Sequence, residues 1–278
     1  MTRYQDQAIE TARQYYNSED ADNFYFHIWG GEDLHVGIYE DESESIFDAS
    51  RRTAQRMASK LRTLGPDSYV IDVGAGYGGV ARYLAHTYGC HVVALNLSER
   101  ENERGRQMNR EQGVDHLIET VDGAFEDIPY DDETFDIVWC EDSFLHSGDR
   151  PRVMREVARV LKPGGEFIFT DPMQADDCPE GVIQPILDRI NLYTMGTPSF
   201  YREQLKELGL EELEFEDHTP QLPRHYGRVK QELERREPSL DGMVSQEYID
   251  GMKKGLQHWV DGGNNGYLAW GIFHFRKR

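Results

Sequence analysis

Apolar and polar positions alternate differently along three parts of the chain. Between about residues 5 and 64 the apolar residues recur every three or four positions among charged and aromatic ones, a spacing typical of helices. This part is therefore predicted to be helical. One predicted helix face consists of Ile46, Ala49, Thr53, Ala54, Met57 and Leu61.

The middle part, from about residue 69 to residue 171, alternates short apolar runs with amphipathic stretches. Strands that alternate with helices predict an α/β fold with a doubly wound, mostly parallel sheet. Gly89, Gly113 and Pro163-Gly164-Gly165 follow the three predicted helices and favour a helix end or a turn. The predicted strands are YVIDV, HVVAL, HLIETV, FDIVWC and EFIFT.

After residue 171 the alternation stops for almost fifty residues. LEFEDH is then predicted as a returning strand, RHYGRVKQELERR and SQEYIDGMKKGLQHWV as helices, and YLAWGIFHF as one final strand. Helices beyond those that a sheet needs commonly cover a binding site. The predicted organisation is an N-terminal helical cap (1–64), a Rossmann-like core (65–171), a helical substrate-binding insertion with one returning strand (172–263) and a final strand (264–278).

Charge narrows the range of partners. The 278 residues include 51 Asp and Glu against 30 Lys and Arg, a net charge of −21. Such a chain repels polyanions, so we expect neither nucleic acid nor a membrane surface as a partner. Only 7 of the 30 cations are Lys, which favours a protein adapted to high salt over an ordinarily acidic one. The segment ERENERGRQMNREQ is interpreted as a solvated helix face with i,i+4 charge pairs.

Metal-binding and targeting patterns are not apparent in the sequence. The three cysteines lie far apart, and His86 and His91 are too loosely spaced for a metal pair. The first residues contain no apolar signal segment, and no run of ~18 apolar residues occurs. We therefore expect a cytoplasmic protein without a bound metal.

The strongest local signal is VIDVGAGYGG, residues 70–79, between a predicted strand and a predicted helix. Its glycines fit G-x-G-x-x-G, which allows a nucleotide to approach the backbone closely. An NAD site normally has an acidic residue about 20 positions later, where this chain has Asn96. Asp72, two residues before Gly74, suits an ammonium group better than a pyrophosphate, although it could also cap local backbone amides.

These segments together resemble the class I S-adenosylmethionine-dependent methyltransferases, over about residues 69–171. The later phrases DGAFEDIPYDDETFDIVWCEDSFLH and VLKPGGEFIFTD carry the same resemblance. It implies that the glycine loop lies under the methionyl part of the cofactor, that Asn96 and Leu97 reach the ribose, and that Ala124 and Phe125 reach the adenine. Many members have Asp where this chain has Ala124. The full set of implied cofactor-binding residues is Tyr16, Trp29, Val36, Gly37, Asp72, Gly74, Ala75, Gly76, Gly79, Asn96, Leu97, Ala124, Phe125 and Glu141.

Outside the core the chain is similar to the sarcosine/dimethylglycine N-methyltransferases and, more remotely, to the phosphoethanolamine N-methyltransferases. The strings that carry this similarity are YYNSEDADNFYFHIWGGEDLHVGIYE, WCEDSFLHS, TDPM, IQPILDRINLYTMG, RHYGRVKQELERR and GLQHWVDGG. The resemblance implies that S-adenosylmethionine methylates small amino-acid amines successively to glycine betaine, an osmoprotectant suited to the salt-adapted composition. A monomer or weak homodimer is expected.

Two side chains are predicted to be catalytic from this resemblance, namely Tyr16 and His146. In the phosphoethanolamine relatives a matching Tyr–His pair closes over the cofactor and assists loss of a proton from the amine. An ordinary core histidine is the alternative for His146. Asp142 matches a contact to the substrate amine, and its negative charge would attract an ammonium group.

The quaternary ammonium group of the product and the carboxylate of the substrate each suggest further contacts. Aromatic faces attract such an ammonium through cation–π interaction, although core packing is the ordinary role of any one ring. Arg189, Arg224 and His225 are candidates for the carboxylate, and Met173 for a soft pocket wall. The aromatic candidates are Tyr25, Trp29, Tyr193, Tyr226 and Trp259.

Other functions remain open at the level of sequence. A methyltransferase of another small amine such as phosphoethanolamine is one alternative, and a cyclopropane-synthase-like enzyme acting on lipid chains is another, which the charge of −21 disfavours. A non-catalytic sensor of S-adenosylmethionine or betaine would keep the glycine loop without Tyr16 or His146. An NAD-linked oxidoreductase is disfavoured by Asp72 and Asn96.

Overall fold

The computed structural model describes residues 3–278, with side chains from Ile9 onward. Within this range every strand follows residue 68, and helices separate the first five strands except between the third and the fourth. They are β1 (Tyr69–Val73), β2 (His91–Asn96), β3 (Ile118–Asp122), β4 (Phe135–Glu141), β5 (Leu161–Thr170), β6 (Met173–Gln174), β7 (Leu210–Asp217), β8 (Leu268–Ala269) and β9 (Gly271–Lys277).

The helices of this range include three before the first strand. They are α1 (Arg3–Tyr16), α2 (Glu19–Ile28), α3 (Ile46–Ala58), α4 (Gly79–Tyr88), α5 (Glu99–Glu111), α6 (Arg150–Val160), α7 (Gln184–Arg189), α8 (Pro198–Glu207), α9 (Gln221–Arg236) and α10 (Gln246–Asn264). None of them is long and apolar enough to cross a bilayer.

Seven strands form one sheet in the order β3-β2-β1-β4-β5-β9-β7. The first five strands in this order are parallel to one another, and β9 lies antiparallel between β5 and β7. The side chains of the central strands are buried on both faces because helices cover both sides, which explains their continuous apolar runs. The predicted doubly wound, mostly parallel sheet is confirmed.

Helices α3 and α8 belong to the body of the fold. Met57 of α3 packs with the α4 side of the sheet, and Tyr201 and Leu205 of α8 pack with α6 and the opposite face. The structure therefore corrects two expectations: part of the stretch 1–64 and part of the stretch 172–263 support the sheet instead of covering the substrate.

A separate apolar cluster joins α2, α7, α9 and α10 above the sheet. Phe24 of α2, Ile186 of α7, Val229 of α9 and Leu256 of α10 are all buried in it. These helices form the cap over the carboxyl ends of the strands, where ligands bind in open α/β sheets.

The final segment YLAWGIFHF is two strands, where one was predicted. Leu268–Ala269 pairs with β6, whereas Gly271–Lys277 pairs with β5 and β7. Between them Trp270 leaves the ladder, because its backbone N–H donates to Thr219 Oγ1 and its carbonyl accepts from the His218 N–H. The break turns the Trp270 indole toward Asp142.

Candidate active site

The glycine loop follows β1 and has the close contacts that its sequence predicts. Gly74 and Gly76 have φ values of +82° and +52°, which favour glycine. A Cβ on Gly74 would lie 2.5 Å from the Cβ of Ser143, and one on Gly79 would lie 2.5 Å from the carbonyl oxygen of Glu32. The loop is therefore shaped for close approach of neighbouring backbone and of a ligand.

A cavity of about 960 Å³, counting space open to solvent, lies at this loop and is called the glycine-loop cavity. It is bounded by the residues that follow β1, β2 and β4 and by the segment 32–35. Its size is in the range of small-molecule and cofactor sites. The predicted cofactor residues that line it are Tyr16, Asp72, Gly74, Ala75, Gly76, Gly79, Asn96, Leu97, Ala124, Phe125 and Glu141.

Buried carboxyl groups make this cavity receptive to a cation. Burial, with the nearby Asp33 as a second cause, raises the pKa of Asp72 to about 8. Burial also raises the pKa of Glu141 well above its usual value. The Oε1 atom of Glu141 is buried and has no hydrogen-bond partner among the described residues. A cationic ligand that donated hydrogen bonds to these oxygens would offset the cost of their burial.

Glu101 lines the cavity beside Asn96 and was missed by sequence reasoning. Asn96 Nδ2 donates to Glu101 Oε2 at 2.8 Å, and burial raises the pKa of Glu101 to about 7. The segment interpreted as a solvated face is thus partly buried, because α5 turns Glu101, Asn102 and Gly105 toward the sheet. The serine–glutamate spacing at the start of α5, where Ser98 Oγ accepts from the Glu101 N–H, was the available signal.

A second cavity of about 960 Å³ adjoins the first and is called the aromatic cavity. Tyr226 stacks on Trp259 with ring centroids 4.7 Å apart, and Trp29 meets Tyr226 edge-on at 5.8 Å. Tyr25 lies 5.3 Å from Trp29. Several aromatic faces therefore converge on one space, as the attraction for an alkylated ammonium requires. Predicted residues that line it are Tyr16, Tyr25, Trp29, Val36, Asp142, His146, Arg189, Tyr226 and Trp259.

Tyr16, Asp142 and His146 line both cavities. The hydroxyl of Tyr16 lies 2.8 Å from Nε2 of His146, and the two rings are perpendicular. Burial raises the pKa of Tyr16, and burial with the nearby Arg150 lowers the pKa of His146 to about 4. Both side chains are therefore neutral at neutral pH.

Asp142 follows β4 with a φ of +53°, a conformation that Asp tolerates better than most residues. Its Oδ2 accepts from the Val36 N–H at 2.7 Å, and its Oδ1 accepts from Trp270 Nε1 at 2.8 Å. Burial raises the pKa of Asp142. Two fixed donors from distant parts of the chain thus orient this carboxylate where the two cavities meet.

Five predicted site residues lie outside both cavities. Tyr193 is 74% exposed, and Arg224 donates to the Tyr39 carbonyl and stacks on its ring. His225 is buried, with Nδ1 hydrogen-bonded to the Gly37 N–H and the Tyr39 hydroxyl. Gly37 itself packs against Ala49 of α3. The fifth is Met173, which is buried in the core of the fold.

These corrections have one physical reason. Residue type made each side chain a candidate, whereas the direction of its helix or strand decides what it contacts.

Among the described residues, no group of three or more His, Cys, Asp or Glu has an arrangement that could hold a metal ion.

Comparisons with known proteins bear on the same site. A family model described as a methyltransferase domain matches residues 71–169. The chain is 76% identical to a sarcosine/dimethylglycine N-methyltransferase of Halorhodospira halochloris, over 99% of each chain, and 52% identical to one of Aphanothece halophytica, over 98% of each. A solved structure from Galdieria sulphuraria, assigned as a sarcosine dimethylglycine methyltransferase, is 42% identical with a TM-score of 0.90, covering 95% of this chain and 98% of that one.

Proposed function

Because the chain belongs to the sarcosine/dimethylglycine N-methyltransferase family, we propose that it methylates sarcosine and N,N-dimethylglycine to glycine betaine with S-adenosylmethionine. The observation that carries the proposal is the junction of the two cavities at Tyr16, Asp142 and His146. One cavity has the glycine loop and buried acids, and the other has converging aromatic rings. A cationic donor and an amine acceptor can therefore meet at one point.

The residues of the glycine-loop cavity fit S-adenosylmethionine, which supplies a methyl group on a cationic sulfur when it is bound. Asp72 and the unpartnered Glu141 Oε1 suit the ammonium of its methionyl part. Asn96 and Glu101 together suit the ribose hydroxyls, and the backbone at Ala124 and Phe125 suits the adenine. Position 96 offers no acidic partner for the ribose, and Glu101 would supply one instead.

The chain's own residues would promote transfer by placement and by exclusion of water. Methyl transfer is an in-line displacement that needs an amine with a free lone pair. Asp142, held by Val36 and Trp270, would draw the ammonium substrate to the junction. The Tyr16–His146 hydrogen bond would close the junction against water, and the neutral His146 would assist departure of the amine proton.

The family and the composition agree on a physiological role. Glycine betaine is an osmoprotectant, and a chain with 51 acids against 30 bases suits a cell that contains much salt. We expect the protein to act in the cytoplasm as a monomer or weak homodimer on small-molecule amines, independent of nucleic acid and membranes. Light scattering with and without substrate tests the assembly.

The decisive experiment incubates the purified protein with S-adenosylmethionine and either sarcosine or dimethylglycine. Betaine and S-adenosylhomocysteine should appear, with one S-adenosylhomocysteine formed for each methyl group transferred, as measured by mass spectrometry. Phosphoethanolamine in parallel should remain unmethylated. Methylation of phosphoethanolamine alone would overturn the assignment of the substrate.

A further inference from the structure

The aromatic cavity contains one guanidinium group whose charge is not matched by an acid. Among the described residues that line this cavity, Arg189 is the only Lys or Arg, and it forms no ion pair there with any carboxylate. Its Nη2 donates to the Tyr15 hydroxyl at 3.2 Å. Burying a cation whose partners are all neutral costs free energy unless an anionic ligand pairs with it.

The fold makes space for this guanidinium. A Cβ on Gly255 of α10 would lie 3.0 Å from Nε of Arg189, closer than ordinary packing allows. On its other side the guanidinium lies over the Tyr15 ring, 5.5 Å from the centroid. Tyr15 is itself hydrogen-bonded to Tyr248 of α10 at 2.8 Å. Arg189 is therefore held in one position by α1 and α10, with donors left over for a ligand.

Trp29 lines the same cavity and carries a second unused donor. Nε1 of Trp29 is buried and has no acceptor among the described residues. Indole N–H groups usually find a partner when they are buried, so an unpartnered one on a residue that lines a cavity indicates a ligand acceptor. A carboxylate can accept up to about four hydrogen bonds. The donors of Arg189 and Trp29 suit such a group.

The polarity of the cavity matches that of an N-methylated amino acid. Asp142 lines it at the junction with the glycine-loop cavity, whereas Arg189 belongs to the cap helix α7. We infer that Arg189 and the Trp29 indole N–H bind the substrate carboxylate and thereby select α-amino acids over amino alcohols of the same shape. This inference rests on the proposed function. It identifies the carboxylate as the group by which the protein distinguishes its substrates from other amines.

The test compares dimethylglycine with N,N-dimethylethanolamine, which has a hydroxymethyl group where dimethylglycine has its carboxylate. Wild type, R189M, R189K and W29F are assayed for kcat/KM on both, with R224M as the matched control because Arg224 lies outside the cavities. R189M should lose ~10–100-fold in kcat/KM on dimethylglycine, mainly through KM, and little on dimethylethanolamine. W29F keeps an aromatic ring and should lose ~3–10-fold, while R189K should fall between R189M and wild type.

Binding of S-adenosylhomocysteine by calorimetry shows that each variant is folded. If R189M does not bind it, R189K and W29F decide the question. The quantity compared is kcat/KM on dimethylglycine divided by kcat/KM on dimethylethanolamine. The inference is overturned if that ratio stays within twofold of wild type in the folded variants. Failure of the proposed function looks different, because wild type would then convert neither sarcosine nor dimethylglycine.

Discussion

The Tyr16 hydroxyl and Nε2 of His146 lie 2.8 Å apart, although 130 residues separate them in the chain. Tyr16 ends α1, and His146 ends a short helical turn after β4. The hydrogen bond therefore joins α1 to the carboxyl edge of the sheet. Both side chains are neutral because burial shifts their pKa values in opposite directions.

Loss of the imidazole should therefore slow the reaction more than it weakens binding of the cofactor. His146→Ala is expected to lower kcat ~100–1000-fold, because a positioned proton acceptor commonly contributes 10²–10⁴-fold. The affinity for S-adenosylhomocysteine should stay within ~3-fold. His86→Ala on the exposed face of α4 is the control and should leave both quantities unchanged. Equal losses in kcat and in cofactor affinity would mean that His146 only supports the fold.

The buried Asp72 should make stability of the ligand-free protein depend on pH in the reverse of the usual carboxylate direction. Its pKa is about 8 in the folded chain against an ordinary value of 3.8. A carboxyl whose folded pKa is raised contributes stability below pH 3.8, and this contribution is lost as the pH rises toward 8. Asp72→Asn should thus raise the melting temperature of the free protein at pH 8 and change it less at pH 6.

The same substitution should weaken binding of S-adenosylmethionine at least ~10-fold, since the ammonium loses its anionic partner. Differential scanning fluorimetry and calorimetry at both pH values measure the two effects. Asp136→Asn is the control, because this partly exposed acid lies at the amino end of β4 beside Lys162, away from the glycine loop. A lower melting temperature for Asp72→Asn at pH 8 would contradict the account.

Sequence patterns predicted the sheet and the glycine loop because both depend on local regularities. Apolar runs follow from burial on two faces, and Gly74 and Gly76 follow from positive φ. The unpredicted features depend on tertiary neighbours. Glu101 lies in a mostly polar helix: its spacing from Ser98 indicates where the helix begins, whereas its burial follows from packing beside Asn96.

The candidate arginines illustrate the same limit. Arg189 and Arg224 both lie in cap helices, and sequence alone treats them alike. The space left by Gly255 lets Arg189 line the aromatic cavity, whereas Arg224 turns to the Tyr39 carbonyl. Helix rotation is determined by packing between helices that are distant in sequence, which single-sequence patterns do not encode.

Glu101 should contribute its charge and not only its hydrogen bond with Asn96. At pH 8, above the Glu101 pKa of about 7, Glu101→Gln preserves the size of the side chain and a possible contact to Asn96 Nδ2, but it removes the negative charge near the expected ribose. The affinity for S-adenosylhomocysteine should fall ~10-fold, as expected for a hydrogen bond to a charged group. Glu103→Gln, exposed on the same helix, should bind as wild type does. Calorimetry that gives equal affinities for both variants would remove Glu101 from the site.

Salt should stabilise the protein because its acidic groups repel one another. The net charge is −21, and raising KCl from 0.1 to 1 M shortens the screening length from ~10 to ~3 Å. The melting temperature should rise by several degrees, as fluorimetry would measure. Replacing the exposed Asp67, Asp115 and Asp241 with Asn should raise it at 0.1 M and reduce the effect of salt. A melting temperature independent of KCl in both proteins would disprove the electrostatic explanation.

Two glycines with similar backbone conformation should respond differently to the same substitution. Gly74 and Gly113 have φ values of +82° and +71°, so alanine at either position costs about 1–2 kcal/mol of strain. An added Cβ meets nothing within 4 Å at Gly113, whereas at Gly74 it lies 2.5 Å from the Cβ of Ser143. Gly74→Ala should therefore be the more destabilising substitution in urea unfolding.

Binding separates the two variants further, because Ser143 follows Asp142 and lines the glycine-loop cavity. A displaced Ser143 moves the wall of that cavity, so Gly74→Ala should bind S-adenosylhomocysteine more than ~10-fold less tightly in calorimetry. Gly113→Ala should bind it with unchanged affinity, since strain at the end of α5 does not reach the cavity. If the two variants lose equal stability and both bind normally, the close approach of Gly74 to Ser143 is not what the glycine motif preserves.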